Sequence, residues 1–219
     1  MARAGGRRPS TCAAGSGRPG TLSGMQRCRW VPPDDALYCA YHDTEWGWPQ
    51  GEDDRLFEKL VLEGFQAGLS WRTVLAKRPA FRAAFAGFAI DDVAAFGPAD
   101  VARMLADPGL IRHRGKIGAA VGNARVAQAL QREAGSLAAC LWRYEHEPAG
   151  PRTTSARATD LAADLRRRGW RFLGPTSAYA FAQSVGLVAD HERGCAVRPR
   201  VAAARAAFAV PGPQTGGGA

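Results

Sequence analysis

Cys28 and His42 stand early in the chain, His191 and Cys195 late, and all four are residue types that ligate metal. His191 and Cys195 are four apart, so on one helical turn they would share a face and could hold the same ion. Two thiolates and two imidazoles suit tetrahedral zinc, although this spacing is not that of a zinc finger. The competing reading is separate core cysteines and surface histidines. If the set does bind, protein fills every position, so the ion would be structural. It would clip the first folded residues to the last and close a loop over most of the domain.

A second run, Glu63-Gly64-Phe65-Gln66-Ala67-Gly68-Leu69-Ser70-Trp71, holds a carboxylate, two glycines and a large indole within nine residues. A flat aromatic floor beside a carboxylate suits a base that is extruded from DNA and carries positive charge or amino donors. The same run could also be a plain join between two helices, with Glu63 solvated and Trp71 in the core. A third run, 165–177, contains Arg166, Arg167, Arg168 and Arg171 and brackets a turn with Gly169 and Gly174. Such a turn presents backbone N–H groups and a helix N-terminus to a phosphate, while the arginines add charge blind to sequence. An αα-hairpin with a solvated basic face is the alternative.

These residues need elements to hold them, and the pattern predicts helices. Leu56, Phe57, Leu60 and Val61 share one face of a helix over 54–64, with Gly64 as its stop. Ser70 is a natural N-cap for a helix over 71–77, and Pro79 restarts the chain. Shorter helices are expected over 91–95, 98–105, 136–144 and 159–168, and the longest over 116–134. Gly169 follows the helix over 159–168 as its C′ residue, and Thr176 or Ser177 caps a last helix over 178–185. Sustained period-two alternation is missing, so the fold class expected is all-α.

Composition narrows the partners. The chain has 219 residues and a net charge of +9, enough for one core and basic enough to favour a polyanion, nucleic acid above all. Lys59, Lys77 and Lys116 are the three lysines, so arginine carries most of that charge. Residues 1–24 hold four arginines and no acid, and are expected to be a disordered tail or an over-extended start ahead of Met25. The folded domain is expected over 25–200 and a C-terminal tail over 201–219. The five cysteines are too few and too scattered for a disulfide scaffold. That favours a cytoplasmic chain, and no apolar run is long enough for a membrane span.

Several blocks now appear in a fixed order. They are Arg27-Cys28-Arg29-Trp30, Tyr38-Cys39-Ala40-Tyr41-His42-Asp43-Thr44-Glu45-Trp46-Gly47, Leu62-Glu63 through Ser70-Trp71, Ile111-Arg112-His113-Arg114-Gly115-Lys116-Ile117, Gly122-Asn123-Ala124-Arg125 and Asp190-His191-Glu192-Arg193-Gly194-Cys195. Together they resemble the bacterial DNA-3-methyladenine glycosylase I family over about residues 26–197. The resemblance implies an all-α, helix–hairpin–helix DNA glycosylase fold with one structural zinc (Zn2+) on Cys28, His42, His191 and Cys195. It implies base recognition by Glu63 and Tyr41 and stacking on Trp71, with Trp30 and Tyr38 as pocket walls. Gln66, Gly68 and Leu69 would approach the gap in the DNA, and Gly174, Thr176, Ser177 and Arg171 would meet its backbone. Phe65 and Cys39 depart from the family's pattern.

The implied reaction is monofunctional hydrolysis on double-stranded DNA containing alkylated purines, by a monomer. N3-methylation makes adenine cationic, so its bond to deoxyribose is already weak and selective binding does much of the work. Glu63 is the expected catalytic residue. Lyase relatives carry a lysine on the second hairpin helix, where this chain has Thr176 and Ser177. Asp190 is assigned no catalytic role, because its neighbour His191 belongs to the metal set.

Overall fold

The computed structural model describes residues 26–148 and 152–211. The early tail, with Cys12 and Met25, lies outside the described residues. Among the described residues ten α-helices follow in order: α1 Ala36–Thr44, α2 Asp53–Gln66, α3 Trp71–Ala84, α4 Ile90–Ala95, α5 Pro98–Ala106, α6 Arg114–Ala134, α7 Leu137–Trp142, α8 Ala156–Arg167, α9 Pro175–Ser184 and α10 Arg198–Ala207. No strand occurs among the described residues, so the all-α expectation holds.

Helix α2 runs through the middle of the core. Leu56, Phe57, Leu60, Val61, Leu62 and Phe65 are all buried, and α2 packs on α3, α6, α7 and α9. A helix apolar on most sides must be enclosed on most sides. It does not stop at Gly64 as expected but continues to Gln66. Gly64 serves packing instead: a Cβ there would lie 3.0 Å from the carbonyl oxygen of Phe172. The loop between α8 and α9 can therefore press directly on α2.

Helix α3 begins as expected, with the Ser70 side chain accepting from the Thr73 N–H, but it passes through Pro79 to Ala84. Proline removes one helical hydrogen bond. Burying Phe81 and Phe85 beyond it, both fully enclosed, outweighs that loss. Helix α9 starts earlier than expected, with Gly174 at the N-cap and Pro175 first in the helix. Thr176 and Ser177 are thus inside its first turn rather than capping it, because proline is preorganised for that first position. Helix α1 carried too little apolar periodicity to be predicted; the Asp35 carboxylate caps it by accepting from the Leu37 and Tyr38 N–H groups.

The C-terminal tail expected from residue 201 is corrected. Helix α10 runs to Ala207, with Val201 buried, and the Phe208 ring lies 4.7 Å from that of Trp142. The short apolar spacing of 201–208 gave little periodic signal, yet it packs across distant elements. Val201 belongs to a small second core with Cys28, Tyr41, Trp46, Leu75, Cys195 and Val197. Among the described residues, no helix is long and apolar enough to cross a membrane.

Candidate base pocket and metal cluster

The two ends of the folded part meet at a cluster. Cys28, His42, His191 and Cys195 are buried, and their ligating atoms lie within 4.8 Å of one another. Cys28 Sγ is 3.5 Å from His191 Nδ1. Cys195 Sγ is 3.5 Å from His42 Nε2 and from His191 Nδ1. A zinc tetrahedron with bonds of about 2.3 Å to sulfur and 2.0 Å to nitrogen has sulfur–nitrogen edges of about 3.5 Å. The four residues could therefore hold a metal ion.

Their surroundings fit the same use. His42 turns its remote Nδ1 to Asp43 Oδ1 at 2.8 Å, and Arg27 holds Asp43 with a 2.7 Å ion pair. His191 Nε2 donates to the Trp46 carbonyl at 3.0 Å. Each ring therefore aims its other nitrogen at the cluster. The Glu192 N–H donates to Cys28 Sγ at 3.4 Å. Burial pushes the His191 imidazole down to about 4, which keeps it in the neutral, ligating form. Burial also pushes the Cys28 thiol up to about 12, a cost that a bound cation would offset. His191 and Cys195 do not share a helical turn as the spacing suggested. They meet across a turn closed by the Cys195 N–H to the Glu192 carbonyl at 2.9 Å. Gly47 (φ +82°) lets His191 in, since a Cβ there would come within 2.8 Å of His191 Nε2.

In front of this cluster opens a cleft of about 1370 Å³, with Trp30, Tyr38, Tyr41, Glu63, Gln66 and Trp71 among its lining residues. Three elements meet there: α1 brings Tyr38 and Tyr41, α2 brings Glu63 and Gln66, and the first residue of α3 is Trp71. The Tyr41 and Trp71 ring centroids are 5.5 Å apart at 48°. Trp30, 39% exposed, stands edge-on to Tyr38 and Trp46. Trp46 also packs edge-on to His191 at 4.6 Å, so the cluster's wall is also the cleft's wall.

Glu63 is buried, and its Oε2 has no hydrogen-bond partner among the described residues. The Trp71 indole N–H is likewise unpaired. Burial pushes the Glu63 carboxyl well above the usual carboxylate range, and the Lys59 charge one turn earlier on α2 works against that rise. The Lys59 amine is lowered by its own burial and raised again chiefly by Glu45. A buried carboxylate with a spare oxygen beside an indole can take a flat group that is cationic or carries N–H donors.

The remaining predicted residues divide by flank. Gly68 (φ +81°) and the 42%-exposed Leu69 form the turn between α2 and α3, outside the cleft lining. Arg171, Gly174, Thr176 and Ser177 lie at the α8–α9 loop and the start of α9, on the flank of α2 where Phe172 meets Gly64. Asn123 fixes that loop by donating to the Arg171 carbonyl at 3.0 Å and accepting from its N–H at 2.9 Å. Phe65 points into the core against Phe81 at 4.7 Å, so its departure from the family pattern does not reach the cleft. Asp190 borders the cleft and accepts from Tyr179 Oη at 3.0 Å and Gln183 Nε2 at 2.6 Å.

Sequence reasoning missed Lys59, Glu45 and Lys116. Lys59 could have been found four residues before Glu63, where a helix puts both on one face. Lys116 donates to the Phe65 and Ala67 carbonyls at 3.0 and 2.7 Å, closing the end of α2. Nothing local signalled that contact across 50 residues.

Fold and cleft together define, among the described residues, an all-helical protein with an aromatic-lined cleft backed by a cluster of metal-binding type. Residues 30–198 match the methyladenine glycosylase family, and the chain belongs to that family. It is 45% identical over 184 residues to DNA-3-methyladenine glycosylase 1 of Escherichia coli (strain K12), covering 80% of this chain and 98% of that one. A crystal structure of 3-methyladenine DNA glycosylase I superposes with a TM-score of 0.74 at 43% identity, covering 78% of this chain and 98% of the other. A tyrosine-to-phenylalanine variant of such an enzyme in complex with 3-methyladenine gives a TM-score of 0.72 at 34% identity, covering 76% and 94%.

Proposed function

We propose that this chain is a DNA-3-methyladenine glycosylase that excises the alkylated base from double-stranded DNA, the first step of base-excision repair. The observation that carries the reading is the buried Glu63 carboxyl, with one oxygen unpartnered, in a cleft beside Trp71. The lesion leaves the stack and enters the cleft, a cost that is smallest for a damaged base. Its ring lies on Trp71, and Glu63 accepts hydrogen bonds from the base edge and balances its positive charge. Tyr41 gives a second polar contact, and Trp30 and Tyr38 wall the pocket. Water attacks the sugar carbon as the bond to the base nitrogen breaks, and the proton that water loses passes to solvent. The base takes the bonding electron pair, which neutralises its charge, and the DNA keeps an abasic site. No lysine stands on α9 to form a Schiff base, so the reading is monofunctional and borohydride should trap no covalent DNA adduct.

The α8–α9 pair is read as a helix–hairpin–helix that grips phosphates through Gly174, Thr176, Ser177 and Arg171. Gln66, Gly68 and Leu69 enter the space the lesion leaves. Cys28, His42, His191 and Cys195 would hold one zinc. With all four positions taken by protein, that zinc supplies a tie between α1 and the 191–195 turn rather than chemistry on the base. The chain acts as a cytoplasmic monomer in this reading. Chromatography of bases freed from methylated DNA tests it: 3-methyladenine is expected, and release of no base overturns the proposal.

A further inference from the structure

Base binding as proposed leaves Lys59 without a role, yet its amine lies behind the pocket wall. Its Nζ is 3.3 Å from the Tyr41 hydroxyl, 4.3 Å from the Tyr41 ring centroid and 5.6 Å from that of Trp71. We propose that Lys59 is a positioning residue that makes Tyr41 a hydrogen-bond donor toward the base. The inference rests on the base-pocket reading above.

An ammonium has three donors and no acceptor, so Lys59 can only give a hydrogen bond to the phenol oxygen. The phenol's own proton must then go to another acceptor. Ser184 flanks Tyr41 and gives its own proton to the Phe181 carbonyl at 2.9 Å, so its oxygen can accept the phenol proton until a bound base brings a ring nitrogen that competes for it. Glu45, 3.9 Å from Nζ, keeps the amine charged, and Arg78 holds Glu45 in place through both its oxygens at 2.5 and 2.6 Å. The pocket thus offers an acceptor at Glu63 and, besides the unpaired Trp71 indole N–H, a donor at Tyr41. That pair matches a purine edge with an amino group beside a ring nitrogen, as in adenine. It opposes the guanine edge, where a carbonyl and a ring nitrogen both accept. The ammonium charge by itself would oppose a cationic base, so its orienting effect and its repulsion predict opposite outcomes.

A double-mutant cycle on the full chain separates them. Single-turnover release of 3-methyladenine and 3-methylguanine from methylated DNA is measured for the parent, Lys59→Met, Tyr41→Phe and the pair. Each single variant is expected to slow 3-methyladenine release about tenfold, and the pair no further than about twofold beyond either. Both single variants should lower the ratio of 3-methyladenine to 3-methylguanine released. Lys59→Gln keeps N–H donors without the charge and should lose less than about threefold, which preserves the test if Lys59→Met melts early. Additive losses, an unchanged or faster Lys59→Met, or equal losses with Met and Gln would each overturn the proposal. A parent that frees no base overturns the base-pocket reading first.

Discussion

The metal cluster and the cleft share a wall, and their polar groups are in opposite states. In the cluster, both remote imidazole nitrogens are engaged, one with Asp43 and one with the Trp46 carbonyl, and all four side chains are buried. In the cleft, one oxygen of Glu63 and the indole N–H of Trp71 have no partner among the described residues. Buried polar groups are normally satisfied. A satisfied, enclosed set fits a role in holding the chain together, while unsatisfied groups on residues that line a cleft fit a ligand that completes them. Trp46 joins the two, since its carbonyl holds His191 and its ring borders the cleft.

Breaking the cluster should have the largest effect on the molecule as a whole. Cys195→Ser, or prolonged treatment with a strong chelator, is expected to lower Tm by about 10 °C. Metal analysis of the parent should find about one zinc per chain, and calorimetry checks the melting. Equal melting of parent and variant would place the cluster among ordinary buried residues.

Breaking the cleft should leave folding intact and remove activity. Glu63→Gln is expected to slow base release about 100-fold while metal content stays at the parent's value. Its pH profile sharpens the point. Burial holds the Glu63 carboxyl above its ordinary range, and only the ionised form balances a cationic base. The parent's kcat/KM should therefore fall as pH drops, with a limb above the usual carboxylate range, and the Gln variant should lack that limb. Trp71→Ala should cost about 10- to 50-fold through lost stacking. The smallest effect is expected at the far flank of α2, where Arg171→Ala should weaken DNA binding modestly. It should also reduce the slope of log affinity against log salt by about 1, measured by titration with labelled duplex.

Several sites were legible because local spacing carries them. Ser70 ahead of an apolar run gave the start of α3, and the Glu63–Trp71 run marked the cleft. The cluster was legible only as four suitable residue types, since nothing in the 148 residues between His42 and His191 dictates that they meet. Where expectation failed, local rules lost to packing. Gly64 reads as a helix stop until Phe172 is seen against it. Pro79 reads as a break until Phe81 and Phe85 are seen beyond it in the core. Residues 201–207 read as tail until Val201 is seen in the second core.

The sequence by itself determined the helical class, the basic charge and the inventory of reactive side chains, because composition and periodicity are properties of neighbours along the chain. Tertiary structure alone decided which of them meet. It put Lys59 against Tyr41, left Glu63 Oε2 without a hydrogen-bond partner among the described residues, and sealed two cysteines and two histidines into one buried group. Those outcomes depend on water being excluded by residues far apart in the sequence, and no local pattern encodes that exclusion.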